Sequence, residues 1–233
     1  MKKYVADFET CTWLKDETFV WAWAVCEIGN EKNIKIGNNI DSFMKFCEQE
    51  KNPTIYFHNA KFDMEFVFWW LFTNGFEYVA DRKEARTKSF TTLIGDMGQF
   101  YSATIYFVKK GRHSIKATFY DSLKIIPLSV DKIAKSFNME ISKLKIDYDK
   151  PRKKSPKLTK EEKDYITNDV LIVAKALKTL FDENLNKMTQ GSNALSDYKK
   201  MIKASKFFKY FPKLDASIDE DLRKAYKGRL YIS

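Results

Sequence analysis

Cysteine and histidine are scarce in this 233-residue chain: three of the first, at Cys11, Cys26 and Cys47, and two of the second, at His58 and His113. The cysteines are odd in number and none lies in a CxxC pair, so the sequence offers neither a disulfide framework nor a thiolate zinc site. Any bound metal is therefore expected to be a hard cation held by oxygens. Long apolar runs are missing too. The longest, Phe19 to Cys26 and Phe66 to Phe72, fall far short of the ~20 residues that cross a bilayer, which excludes a membrane-spanning helix. Asp7 interrupts the apolar stretch behind Met1-Lys2-Lys3 before a signal-peptide core could form, so a cytoplasmic protein is expected. Glycine and proline number only 8 and 5, and there is no internal repeat or low-complexity tract. A fibre or a disordered chain is excluded.

What is present suits a packed core. Hydrophobic residues make up 44% of the chain and aromatics 15%, enough for one domain with an appendage. Lys and Arg number 41 against 31 Asp and Glu, a net +10 that points first to a nucleic-acid partner.

Along the first half, strands alternate with short helices. Lys3 to Thr10 reads as a strand, with aromatic and β-branched Phe19 to Ile28 as its hairpin partner. Asp41 to Glu50 carries Phe43, Met44 and Cys47 at helical spacing, and Thr54 to His58 is another strand. Phe62 to Phe72 reads as a buried aromatic helix stopped at Asn74-Gly75. Thr87 to Tyr120 alternates, with turn signals at Gly95-Asp96 and Gly111-Arg112, and predicts a β-meander. Ser129 to Phe137 is a short helix. Lys143 to Lys160 is a basic loop, with eight basic residues against Asp147 and Asp149 and two prolines. Thr159-Lys-Glu-Glu162 is a capping box that opens an amphipathic helix to about Leu185. Gln190-Gly191-Ser192 marks a boundary. Two or three basic helices follow, one opened by a capping box at Ser217 to Glu220, then a strand-like Leu230-Tyr-Ile. The architecture is α/β.

The chemistry lies in the carboxylates. Asp7 and Glu9 are two apart in a strand, so both project from one face, where they must be solvated or coordinate something. Asp63 follows the next strand, a position that also suits a helix N-terminus. Tyr165 and Asp169 are four apart on one helix face. Together they supply four carboxylates and a hydroxyl. Such a set can hold two divalent ions about 3.5 to 4 Å apart and clamp both oxygens of an in-line phosphoryl displacement.

Asp7-Phe-Glu9-Thr10, Tyr56-Phe-His-Asn59 with Phe62-Asp63, and Tyr165-Ile-Thr-Asn-Asp169 resemble, in order, the three exonuclease motifs of DNA polymerases. Tyr120-Asp-Ser-Leu123, Lys143-Leu-Lys-Ile146 and Asp147-Tyr148 narrow the resemblance to the protein-primed family B polymerases of small tailed phages, over essentially the whole chain. The resemblance implies a ribonuclease-H-like (DnaQ-like) exonuclease fold with a mixed central sheet at residues 1–189. Residues 190–233 would be a helical linker or the start of a palm domain. It further implies 3′-5′ hydrolysis of single-stranded DNA ends by two Mg²⁺ or Mn²⁺ ions on Asp7, Glu9, Asp63 and Asp169. By the same resemblance Tyr165 orients the attacking water and Lys143 holds the scissile phosphate. Thr10, Tyr56, His58, Asn59, Phe62, Phe66, Ser122, Leu123 and Tyr148 grip the single-stranded end. From the residues alone, Phe62 and Phe66 also fit a helix core, and His58 also fits a satisfied core histidine.

The pattern breaks at the end. The family's Tyr-x-Gly-Gly motif reads Tyr226-Lys-Gly228-Arg229 here, and no palm carboxylates follow before Ser233, so no polymerisation by this chain alone is expected. A non-catalytic DNA-binding or docking subunit of a split polymerase stays open as an alternative. The expected partners are a single-stranded DNA 3′ end and, through Phe207, Phe208, Tyr210 and Phe211, a separate polymerase half or a terminal protein.

Overall fold

Strand β1 (Lys3–Thr10) lies inside an eight-stranded sheet of order β3-β2-β1-β4-β8-β7-β6-β5, described by a computed structural model over residues 1–14, 16–95, 97–148 and 150–229. On one flank β2 (Val20–Glu27) pairs antiparallel with β1, placing Asp7 opposite Ala24 and Glu9 opposite Ala22. β3 (Asn30–Gly37) extends that edge, and its polar, half-exposed sequence carries no strand signal of its own. On the other flank β4 (Thr54–Phe57) runs parallel to β1 and to β8 (His113–Asp121). All four β4 residues are buried, as expected of a parallel strand covered on both faces. β6 (Ser89–Ile94), β7 (Phe100–Lys110) and β8 form the meander, turning at Gly111 (φ +58°) between β7 and β8, and β5 (Glu77–Tyr78) closes the far edge. The sheet is mixed, as the fold expectation required.

Helices cover both faces. Tyr4, Ala6 and Phe8 of β1 pack with Phe43 and Met44 of α1 (Ile40–Gln49) and with Ala60 and Met64 of α2 (Ala60–Thr73). Val5, on the other face, packs with Ile133 of α3 (Val130–Ser136) and with Ile166, Val170 and Val173 of α4 (Lys160–Asp182). Strand alternation therefore sends Asp7 and Glu9 toward α4. Both bonds of the Thr159/Glu162 capping box are formed at the start of α4. The helix ends at Asp182, slightly before the expected Leu185.

Two expectations need correction. The aromatic helix α2 is not buried throughout: Ala60, Asp63, Met64, Val67 and Leu71 face inward, whereas Phe62, Trp69 and Phe72 are 49%, 62% and 61% exposed. A single helix on a sheet can cover only one of its sides, and aromatics all round hide which side that is. It stops as foreseen, with Gly75 at φ +72° and the Phe76 N–H donating back to the Leu71 carbonyl. The Ser217 to Glu220 capping box is not used, because the last helix already begins at Ala216.

The chain divides into two compact units, Met1–Gln190 and Gly191–Ser233. The second contains most of α5 (Gln190–Met201), with α6 (Ala204–Tyr210) and α7 (Ala216–Arg229). In it the rings of Phe207 and Phe211 lie 5.0 Å apart, and the Lys199 ammonium stands 4.6 Å from the Phe207 ring centre. The strand-like Leu230-Tyr-Ile and Asp96 of the Gly95-Asp96 turn fall outside the described residues. Among the described residues no helix is long and apolar enough to cross a membrane.

Candidate active-site cleft

The C-terminal half of β1 forms one wall of an open cleft of about 310 Å³. Asp7, Glu9, Thr10, His58, Phe62, Lys143, Tyr148, Tyr165 and Asp169 line it, nine of the fifteen residues singled out in the sequence. Asp63, in the first turn of α2, is buried at 4% exposure and close enough to Asp7 and Glu9 to feel both charges. Strand, helix start and late helix thus bring all four carboxyls into one electrostatic group.

Burial, and after it the crowding of like charges, dominates the electrostatics of this group. Burial, then the charge of Asp169, pushes Asp7 up to about 7, while burial with Asp7 and Asp169 pushes Glu9 up to about 9. Burial and Asp7 hold Asp63 well above the ordinary carboxylate range. Asp169 is raised by burial, although Lys143 works against the rise. The Lys143 ammonium sits 3.0 Å from Asp169 Oδ2; burial opposes its charge, but Asp169 together with Tyr148 and Asp7 raises its pKa and keeps the lysine charged. Asp169 Oδ1 is buried with no hydrogen-bond partner. Tyr165 meets the Tyr148 hydroxyl in a short contact, and burial with the Glu9 charge raises its own pKa, so the phenol stays protonated.

Among the described residues no three His, Cys, Asp or Glu side chains stand as a ready-made metal cage. The donor chemistry nevertheless fits a hard divalent cation: several carboxylates that repel one another, one buried oxygen lacking a partner, no thiolate, and a cleft imidazole, His58, whose two nitrogens are both engaged within the protein.

The grip residues separate into two groups. Phe62 and Tyr148 present half-exposed rings to the cleft. Tyr56 is placed elsewhere, buried with ring neighbours Tyr120 at 5.6 Å and Phe181 at 5.7 Å. Phe66 lines a separate cavity with Trp69 and Phe19. His58 contributes to the cleft wall while both ring nitrogens are engaged within the protein. Its Nε2 donates to the Leu128 carbonyl at 2.7 Å, and its Nδ1 lies 3.0 Å from the Ser122 hydroxyl, which itself donates to the Phe57 carbonyl at 3.0 Å. Ser122 is fully buried, and Asn59 and Leu123 do not line the cleft.

Asp121 was not singled out from the sequence, yet it ties these pieces together. Its Oδ1 accepts from the backbone N–H groups of Asn59 (3.1 Å), Ala60 (3.3 Å) and Leu123 (3.0 Å). Three N–H groups on one oxygen hold the left-handed Asn59 (φ +69°) and with it the start of α2, which carries Phe62 and Asp63. The available signal was an Asp ahead of a Ser-Leu turn, an N-cap pattern. Thr12 was also missed. Its hydroxyl donates to the Tyr148 carbonyl at 3.1 Å.

With this geometry in hand, comparison with known proteins gives consistent matches. A family described as DNA polymerase type B, organellar and viral, matches residues 45–155 and 148–230. The DNA polymerases of Bacillus phage M2 and Bacillus phage phi29 are 42% and 41% identical to the chain over 227 residues, covering 97% of it. That of Streptococcus phage Cp-1 is 32% identical over 242 residues. The chain spans about 39% of the length of these curated relatives. Phi29 DNA polymerase complexed with single-stranded DNA superposes with a TM-score of 0.88 at 39% identity, covering 95% of this chain and 39% of that one. The same polymerase complexed with primer-template DNA also gives 0.88.

Proposed function

Because the chain belongs to the organellar and viral type B DNA polymerases, we propose that residues 1–189 are its 3′-5′ exonuclease domain, hydrolysing single-stranded DNA from the 3′ end. The observation that carries this reading is the group Asp7, Glu9 and Asp169 lining one open cleft, with Asp63 buried within reach of the Asp7 and Glu9 charges and a buried Asp169 oxygen that has no partner. A relative whose structure is titled as a complex with single-stranded DNA supports the choice of substrate.

In this reading Asp7, Glu9, Asp63 and Asp169 hold two divalent cations, Mg²⁺ or Mn²⁺. Bound there, such ions supply a more acidic water and stabilise charge on the reacting phosphate. The remaining work falls to the chain. Tyr165 stays protonated at neutral pH and donates a hydrogen bond that orients the attacking water. Lys143 keeps its charge beside Asp169 and faces the cleft, where it attracts the scissile phosphate. The exposed rings of Phe62 and Tyr148 stack the terminal bases, a grip indifferent to sequence that suits a 3′ end of any composition. Asp121 and the Ser122–His58 contact fix the loops that carry these groups rather than touching DNA themselves.

Residues 190–233 we read as a helical linker toward a polymerase palm, where a polymerase half or a terminal protein attaches. The half-exposed Phe208, Phe211 and Leu214 support that reading. Residues 1–233 by themselves are expected not to extend a primer, which a templated extension assay with all four nucleotides checks directly. The exonuclease reading is tested on a 5′-labelled oligonucleotide. Mg²⁺ or Mn²⁺ should give a ladder that shortens from the 3′ end, and internal cuts or digestion in EDTA would sink it.

A further inference from the structure

Arg152 lies in the basic loop between Lys143 and Lys160, where a solvated surface charge is the default, yet its side chain is only 5% exposed. The guanidinium is engaged by groups of the protein at Nε and Nη1. Nε donates to Glu162 Oε1 at 2.8 Å, and Nη1 donates to the carbonyls of Asp147 and Lys150, each at 2.9 Å. Its face stacks on Trp21, 4.3 Å from the ring centre.

Each partner belongs to a different element that builds the cleft. Trp21 donates its indole N–H to the Thr10 carbonyl at 3.1 Å, one residue beyond Glu9. Glu162 caps the first turn of α4, three residues before Tyr165, by accepting from the Thr159 N–H at 2.9 Å. Burial opposes its charge, but that N–H and Arg152 hold its carboxyl below the ordinary range. The Asp147 carbonyl is one residue from Tyr148, whose own carbonyl takes the Thr12 hydroxyl and whose phenol meets Tyr165. A buried ion pair seldom raises stability over a well-packed apolar pair, whereas in some systems it fixes one arrangement among several. This pair fixes the loop.

We propose that Arg152 is a positioning residue: by joining the end of β1, the start of α4 and the Asp147 carbonyl, it sets the Tyr148 ring in the cleft where a single-stranded 3′ end is gripped. The proposal rests on the DNA-binding part of the function given above. Arg152 does not touch DNA itself, so its effect must pass through Tyr148. That requirement separates it from a residue that merely holds the fold.

The test is a double-mutant cycle read as binding of a fluorescein-labelled oligothymidylate in EDTA, which needs neither a metal nor turnover. Arg152→Lys keeps the charge and loses the fork that reaches three partners at once. It should weaken binding about tenfold in the parental background, a share of the stacking contribution of one base. In a Tyr148→Ala background the same change should weaken binding less than about twofold, since coupled groups do not add. Tryptic cleavage within residues 150–158 should speed up in parallel. Equal losses in both backgrounds, or parental affinity in Arg152→Lys, overturn the proposal. Arg152→Met combined with Glu162→Gln supplies a second variant that leaves no unpaired buried charge and keeps a capping residue. If both variants lose the cooperative melt, Arg152 belongs to the fold and the proposal fails. If the cycle shows coupling while Mg²⁺ elicits no digestion by the parental protein, the exonuclease reading falls and the positioning role stands.

Discussion

Glu9→Gln should make the metal-free protein more stable at pH 8, an unusual outcome for a change at a buried charged residue. In the folded chain the Glu9 carboxyl is pushed from its ordinary 4.5 up to about 9, first by burial and then by Asp7 and Asp169. A raised folded pKa means that the contribution of Glu9 to stability is fully present below about pH 4.5 and is lost as pH rises toward 9. At ~1.4 kcal/mol per pH unit the nominal loss by pH 8 is several kcal/mol. The cleft is open to water and its side chains can relax, which brings the expected effect to roughly 2 kcal/mol. For a chain of this length that is about 4 to 8 °C in melting temperature. Differential scanning calorimetry in EDTA from pH 5 to pH 9 is the assay. The parental melting temperature should decline over that range relative to Glu9→Gln, and the two curves should separate most at the alkaline end. Mg²⁺ at ten times its dissociation constant should return about 1.4 kcal/mol to the parental protein and less to the variant. Parallel pH curves in EDTA, or a parental protein that melts above Glu9→Gln at pH 8, refute the crowded-carboxylate argument.

Phe62→Ala should raise the KM for single-stranded DNA about tenfold while leaving the melting temperature within a few degrees, because its ring is half exposed, meets the Phe66 ring edge-on, and under the proposed function stacks on the substrate; steady-state digestion checks it. Tyr56→Ala should do the reverse, costing about 3 to 5 kcal/mol of stability in urea titrations, since that ring is buried between Tyr120 and Phe181. Affinity for single-stranded DNA should fall with a steep log–log slope between roughly 50 and 200 mM salt, as phosphate contacts displace counterions; a flat slope removes the basic loop from the binding account.

The strands and helices were legible where one physical signal dominated. Thr159 and Glu162 announced α4 because a capping box has few other uses, and Asn74-Gly75 announced the end of α2 because the left-handed turn there suits glycine. β3 was missed because an edge strand needs no apolar face, and Asn30 to Gly37 has almost none. The exposed side of α2 was hidden by aromatics placed all round it. In the cleft, the pairing of Asp7 with Glu9 followed from strand alternation alone, whereas their grouping with Asp63 and Asp169 came from what such a set of carboxylates can do and was strengthened by the resemblance. The supporting residues were the least visible. Asp121 accepts from the backbone N–H of the distant Asn59, and Arg152 stacks on the ring of the distant Trp21. No local pattern records such contacts.

The central claim is that the four carboxyls of this cleft carry out metal-dependent removal of nucleotides from a DNA 3′ end. Its most direct measurement is digestion of a 5′-labelled single strand by the parental protein and by Asp7→Ala with Glu9→Ala, side by side in Mg²⁺. The account predicts stepwise shortening by the parental protein, and a double variant that still melts cooperatively yet releases no nucleotide; digestion by that folded variant at the parental rate would contradict it.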